Sequence, residues 1–124
     1  MQKLFYVGIG GCIGAVLRYI ITINSSKMQI SQIPWGTLIV NVTGGFLIGL
    51  VVELCLTTER ISPNMRLFLT TGILGGFTTF STFSFETVEL FSKGMVLAAA
   101  LNICLNLFLS LGGVLLGQYF VKAL

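Results

Sequence analysis

The chain has 124 residues, of which 55% are hydrophobic and only 9% are charged, and its formal net charge is +3. Since a soluble domain carries about 25% charged residues, this composition excludes a soluble globular protein and predicts one membrane domain over residues 1–124. The small, dispersed positive charge gives no basis for nucleic-acid binding. The chain contains no histidine, so it lacks the commonest metal ligand and the side chain best suited to proton transfer near neutral pH.

Four apolar segments, separated by short polar connections, set the predicted fold. A helix needs roughly 20 apolar residues to cross a bilayer, and such segments cover about residues 4–23, 35–56, 66–91 and 95–121. The first segment could pass for a signal peptide, but it contains Arg18 and is followed by no small-residue cleavage site. We therefore predict an all-α membrane protein with four transmembrane helices per subunit.

The first two segments carry polar residues that need partners in a membrane. Arg18 can extend to the interface near the end of its helix, or it can place a positive charge at a pore mouth. Thr37 and Asn41 are four residues apart, so they share a helical face. Asn41 can form an interhelical hydrogen bond or present its amide group to a passing anion, and the shared polar face favours an ion pathway.

The third segment contains GGFTTFSTFSFE at residues 75–86, where hydroxyl residues alternate with phenylalanines. Two glycines followed by β-branched threonines weaken a helix. Non-helical backbone at membrane depth survives only when it is buried in protein or lines a polar cavity. We therefore predict that residues 75–79 break the third helix and serve an ion.

Phe80 and Phe83 share a face if the chain is helical after this break, with Ser81 and Thr82 between them. A phenyl ring has a positive edge, so two rings presented edge-on offer weak contacts to a small anion while excluding water. Spacing alone favours ordinary lipid-facing or core packing of the two rings.

The fourth segment carries a polar stripe of Asn102, Asn106 and Ser110, spaced four residues apart on an otherwise apolar helix. A single polar residue would serve as an interhelical hydrogen bond. Three in register favour a pore lining over packing alone.

Positive residues in short loops set the orientation of a membrane protein. Four spans would place Lys3, Arg60, Arg66 and Lys122 on one side, and Lys27 and Lys93 on the other, together with Arg18 if it reaches that interface. Because this balance is nearly even, we predict dual topology and an antiparallel homodimer. Opposed carbonyl oxygens at the two breaks would then form a cation site.

Three sequence blocks resemble the signature of the Fluc (CrcB) fluoride channels. The blocks are GGCIGAVLRY at 10–19, WGTLIVNVTGGFLIG at 35–49 and GGFTTFSTFSFE at 75–86, and the resemblance extends over all four segments. It implies a dual-topology homodimer in the bacterial cytoplasmic membrane, with two antiparallel pores that export fluoride passively. It also implies a structural sodium ion between the two breaks.

The resemblance also implies roles for individual residues. The carbonyl oxygens of Gly75 and Thr78 would bind the sodium ion. The predicted pore contacts are Asn41, Phe80, Phe83, Ser81 and Thr82, with Arg18 at the vestibule. Thr37 and the stripe of Asn102, Asn106 and Ser110 are added to the pore by their spacing.

Two other functions are compatible with a small membrane protein of this length. A dual-topology multidrug exporter would need a membrane-embedded carboxylate, whereas the four glutamates lie near segment ends or in a loop: Glu53, Glu59, Glu86 and Glu89. A non-conducting assembly subunit would use the polar residues only to hold helices together. The sequence contains no nucleophile–base pair or metal-ligand set, so we do not expect an enzyme.

Overall fold

The computed structural model describes residues 1–27, 31–58 and 61–124. In these ranges every regular element is helical. Three helices are long and apolar enough to cross a membrane: α1 (Gln2–Ser25), α2 (Trp35–Thr57) and α6 (Val96–Lys122). They occupy the first, second and fourth predicted segments.

The third predicted segment is a series of short helical pieces. It comprises α3 (Pro63–Leu67), a π-helical segment (Phe68–Leu74), α4 (Gly75–Phe77) and α5 (Phe80–Ser92). Between α4 and α5 the backbone is extended, with φ −80° and ψ 159° at Thr78, and φ −152° and ψ 116° at Thr79. The π-helical segment was not predicted from the sequence.

The break is therefore narrower than the predicted residues 75–79, since Gly75–Phe77 is helical. Gly76 serves helix packing, because a Cβ there would lie 2.6 Å from the Gly11 carbonyl oxygen of α1. The two β-branched threonines leave the helix instead, in agreement with their preference for extended backbone.

Glycines let the helices approach closely at two contacts. In α1, a Cβ on Gly10 would lie 2.6 Å from the Phe68 carbonyl oxygen, and one on Gly14 would overlap the backbone of the π-helical segment. Between α2 and α6, a Cβ on Gly45 would lie 2.6 Å from the Ser110 carbonyl oxygen. As a result, α1 holds the first half of the third segment, while α2 packs along α6.

Candidate functional site

Asn41 of α2 replaces a hydrogen bond that the break removes from the helix. In a continuous helix the Thr79 N–H would donate to the Gly75 carbonyl. Here it donates to Asn41 Oδ1 at 2.9 Å, and Asn41 Nδ2 donates to the Thr79 carbonyl oxygen at 3.1 Å. Asn41 thus pairs the Thr79 N–H that the break frees, as an interrupted helix among apolar neighbours requires. It also adds a second bond to the Thr79 carbonyl, which as the N-cap carbonyl accepts the first bond of α5 as well.

Arg18 contributes a positive charge to the same break. Its Nη1 donates to the Thr78 carbonyl oxygen at 3.2 Å, and the guanidinium group is partly buried. The extension of Arg18 to the interface at the end of α1 stays a prediction that is compatible with this contact. A role at a vestibule remains a prediction.

The position of Arg18 also changes the charge balance behind the predicted dual topology. Without it, Lys27 and Lys93 stand on one side against four residues on the other: Lys3, Arg60, Arg66 and Lys122. Arg60 lies outside the described residues. The balance is four against three with Arg18 at the interface and four against two without it, and dual topology stays a prediction.

The hydroxyl groups that follow the break gather around Thr79, the residue before α5. Thr79 Oγ1 accepts from the Thr82 N–H at 3.2 Å and donates to Thr82 Oγ1 at 2.9 Å. Ser81 Oγ lies 3.4 Å from the same atom. Thr79 therefore acts as an N-cap, a role that threonine often takes, and it brings the predicted hydroxyl pair to one place.

Phe80 and Phe83 form a pair beside these hydroxyl groups. Their ring centroids are 5.6 Å apart with an interplanar angle of 52°, and Phe80 is 80% exposed on the single chain. Both rings border a cleft of about 560 Å³. The cleft is also lined by residues of the break and by polar residues of α2 and α6: Asn41, Gly75, Thr78, Thr79, Asn106 and Ser110.

The predicted stripe on α6 is largely turned into the protein. Asn102 is 0% and Asn106 5% exposed, and Asn106 Nδ2 donates to Asn102 Oδ1 at 2.9 Å. Asn106 also accepts from Asn41 at 2.9 Å. Ser110 Oγ, in contrast, is buried and has no hydrogen-bond partner among the described residues. The amides are thus committed to neighbouring helices, while the Ser110 hydroxyl is available for a further contact.

Thr37 lies away from the cleft and joins α2 to α5. It is 1% exposed, and its hydroxyl donates to Glu86 Oε1 at 2.8 Å. Glu86 Oε2 is buried without a partner among the described residues. From the sequence, Glu86 was placed near the end of the third segment. The contact between Thr37 and Glu86 could not be predicted, because these residues are 49 positions apart.

The backbone carbonyl oxygens at the break are suitable ligands for a hard cation. The Gly75 carbonyl oxygen loses its helical donor, since the Thr79 N–H donates to Asn41. The Thr78 carbonyl oxygen accepts from Arg18 and keeps a second lone pair. Carbonyl oxygens of this kind are ligands for hard cations, so both groups fit a sodium ion, although the Arg18 guanidinium adds a like charge beside Thr78.

These features define a multi-pass membrane protein with a polar break enclosed among long apolar helices. A family model described as CrcB-like protein, Camphor Resistance (CrcB), matches residues 5–118. The chain belongs to this family, which confirms the resemblance seen in the sequence.

The chain is also similar along its whole length to proteins named "Fluoride-specific ion channel FluC". The protein from Clostridium novyi (strain NT) is 51% identical over 125 residues, covering 98% of each chain. The protein from Clostridium perfringens (strain 13 / Type A) is 48% identical over 127 residues, covering 100% of this chain and 99% of the relative. The protein from Agrobacterium fabrum is 46% identical over 117 residues, covering 94% of each.

Proposed function

We propose that this protein is a passive, fluoride-selective ion channel that exports fluoride across the bacterial cytoplasmic membrane. The third segment would cross the bilayer as a fourth, broken span. The observation that carries the proposal is the break at Thr78 and Thr79, which places the pair of Phe80 and Phe83 beside hydroxyl groups in a cleft. Similarity over nearly the whole chain to proteins named as fluoride channels supports the same function.

The cleft offers weak donors in an apolar setting, which favours a small anion. The two Asn41 amide protons are taken up by Thr79 and Asn106, so direct donors would be the hydroxyl groups and the positive ring edges of Phe80 and Phe83. The Ser110 hydroxyl borders the cleft without a partner among the described residues.

The remaining pore residues have different positions in this proposal. Ser81 and Thr82 reach the path through the hydroxyl cluster on Thr79. Asn41 and Asn106 border the cleft and form its wall. Thr37 and Asn102 are not in its lining, so their contact with fluoride rests on the sequence spacing alone.

A second, inverted copy would complete the pathway. Phe80 is largely exposed on the single chain and borders the open cleft, so a partner chain can pack against this ring. A Cβ placed on Gly75 would meet only the Thr70 carbonyl oxygen within 4 Å, at 3.6 Å. A partner chain has room to approach there, and a structural sodium ion would then bind the Gly75 and Thr78 carbonyl oxygens of both copies.

Passive export needs no coupling machinery. Fluoride enters a cell from acidic surroundings as neutral HF, dissociates and is trapped as the anion. A membrane potential that is negative inside drives an anion outward with about 2.3 kcal/mol per charge per 100 mV. This reading assigns the chain no enzymatic activity and no energy source.

The experiment is fluoride release from vesicles that contain the purified protein, measured with a fluoride-selective electrode. Phe80→Ile and Phe83→Ile should lower the rate by at least about tenfold, because they remove the ring edges without leaving a large cavity. Phe85→Ile is the matched control, since Phe85 lies on the same helix, is 69% exposed and is not in the cleft lining.

Two results would separate this proposal from its alternatives. Wild-type rates in both cleft variants would reject the pore role of the rings. A non-conducting assembly subunit predicts no release from the wild-type protein, whereas a multidrug exporter predicts proton-driven movement of organic cations and none of fluoride.

A further inference from the structure

A continuous series of side-chain hydrogen bonds runs from the break to the middle of α5 through two other helices. We call this series, which runs from Thr79 through Asn41, Asn106 and Asn102 to Thr87, the amide relay. The Thr79 N–H donates to Asn41 Oδ1 at 2.9 Å, and Asn41 Nδ2 donates to Asn106 Oδ1 at 2.9 Å. Asn106 Nδ2 in turn donates to Asn102 Oδ1 at 2.9 Å, and Asn102 Nδ2 donates to Thr87 Oγ1 at 2.9 Å. The Thr87 hydroxyl ends the series by donating to the Phe83 carbonyl oxygen at 2.7 Å.

The direction of every bond in the relay is fixed by its two ends. The Thr79 backbone N–H can only donate, so Asn41 must turn its carbonyl oxygen to it and its NH₂ group to Asn106. The Phe83 carbonyl can only accept, so the Thr87 hydroxyl must donate to it and accept from Asn102. Reversing a single amide would place like groups face to face at two contacts.

Burial makes the relay depend on all of its members. Asn102 is 0%, Asn106 5% and Thr87 7% exposed, so water cannot easily replace a missing partner. A buried donor that loses its acceptor keeps the full cost of desolvation. Hydrogen bonds in such networks also polarise one another, and a defect at Thr87 should therefore be transmitted towards Thr79.

We propose that Thr87 is a positioning residue for the ion path and acts on the break through the amide relay. Thr87 is not in the lining of the cleft. Its hydroxyl bonds to the Phe83 carbonyl at one end of the relay, and Thr79 lies at the other. The effect on ion flow rests on the proposed channel function, whereas the effect on the break does not.

The test separates the Thr87 hydroxyl from its volume. Thr87→Val keeps the shape and removes the hydroxyl, while Thr87→Ser keeps the hydroxyl and removes a methyl group. Thr87→Ala, compared with Thr87→Ser, makes the same comparison at smaller volume if the valine variant does not fold. Thr57→Val is the matched control, because among the residues that the structure describes the Thr57 hydroxyl bonds only to the Glu53 carbonyl of its own helix.

The first readout is hydrogen exchange of the Thr79 amide, measured by nuclear magnetic resonance on the isotope-labelled full-length protein in micelles. Thr87→Val should accelerate this exchange by about tenfold, as expected for a weakened buried hydrogen bond. Thr87→Ser and Thr57→Val should leave it at the wild-type rate.

The second readout is coupling with a variant that already interrupts the relay. In an Asn106→Ala background, Thr87→Val should change Thr79 exchange by less than about twofold, because residues of one network are not additive. In vesicles that carry the Thr87→Val protein, fluoride release should fall by about fivefold or more if the hydrogen bond contributes the usual 1 kcal/mol, and Thr87→Ser should restore it.

Unchanged exchange at Thr79 in the hydroxyl-free variants would overturn the proposal. So would an equal effect of Thr87→Ser, or full additivity with Asn106→Ala, since either would assign Thr87 a packing role. If the wild-type protein released no fluoride, the channel function would fail, but the exchange experiment would still decide whether Thr87 acts on the break.

Discussion

Replacing Asn41 by alanine should destabilise the protein more than any other single change at the break. Asn41 makes three hydrogen bonds, two with the backbone of Thr79 and one with Asn106. The alanine variant loses all three at once. Thr79 is only 7% and Asn106 only 5% exposed, so the Thr79 N–H and Asn106 Oδ1 would lose their partners in a largely dry setting. The Thr79 carbonyl keeps the first helical bond of α5.

The size of the effect follows from the cost of an unpaired buried group. Each such donor or acceptor costs about 1–3 kcal/mol, which sets an upper limit of about 6 kcal/mol for the Thr79 N–H and Asn106 Oδ1 together. The cleft borders Thr79, and a water molecule there can restore part of the bonding. We therefore expect a loss of about 2–4 kcal/mol in the free energy of unfolding.

The assay is unfolding of the purified protein by sodium dodecyl sulfate at constant protein and lipid concentration, followed by circular dichroism. Thr43→Ala serves as the control, because Thr43 lies two residues further along α2 on an exposed part of the chain and is not in the cleft lining. A loss below about 1 kcal/mol for Asn41→Ala, or an equal loss for Thr43→Ala, would refute the argument that Asn41 holds the break.

Three further predictions concern packing, the cation and orientation. Gly14→Ala should prevent assembly of the folded protein, because the added Cβ would overlap the Ile73 carbonyl, whereas Gly8→Ala, with no atom within 4 Å, should keep wild-type stability in the same unfolding assay. Replacing sodium by N-methyl-D-glucamine should lower the thermal midpoint of the protein, since a bound ion stabilises only the folded state; the same midpoint in both buffers would argue against the sodium site. In a variant without native cysteines, a membrane-impermeant reagent should label Ser26→Cys both in intact cells and in inverted membrane vesicles. Labelling in only one of these preparations would refute dual topology.

The course of the helices follows from the sequence, because the length of an apolar segment is a local property. The location of the break was predicted only coarsely. The sequence predicted a break over residues 75–79. The packing of α1 against Gly76 keeps Gly75–Phe77 helical, and only Thr78 and Thr79 are extended. Threonine is a favoured N-cap residue, so Thr79 was one of several candidates in this stretch for the start of α5.

The polar contacts of the site depend on which helices meet, and this information is not in the periodicity of one helix. Spacing placed Asn102 and Asn106 on one face of α6. It could not show that Asn106 accepts a hydrogen bond from Asn41 or that Asn102 donates one to Thr87. The contact of Arg18 with the Thr78 carbonyl likewise depends on how α1 packs against the π-helical segment. Thr87 carries no local signal at all, since a threonine within a helix usually bonds to its own backbone.

The most direct test of the account compares fluoride and chloride release from the same vesicles, loaded with both anions and driven by the same potassium diffusion potential. A channel built around the break predicts rapid fluoride efflux, with chloride released no faster than from protein-free vesicles. Equal release of the two anions would contradict the selectivity assigned to the cleft, and absence of fluoride release would contradict the channel itself.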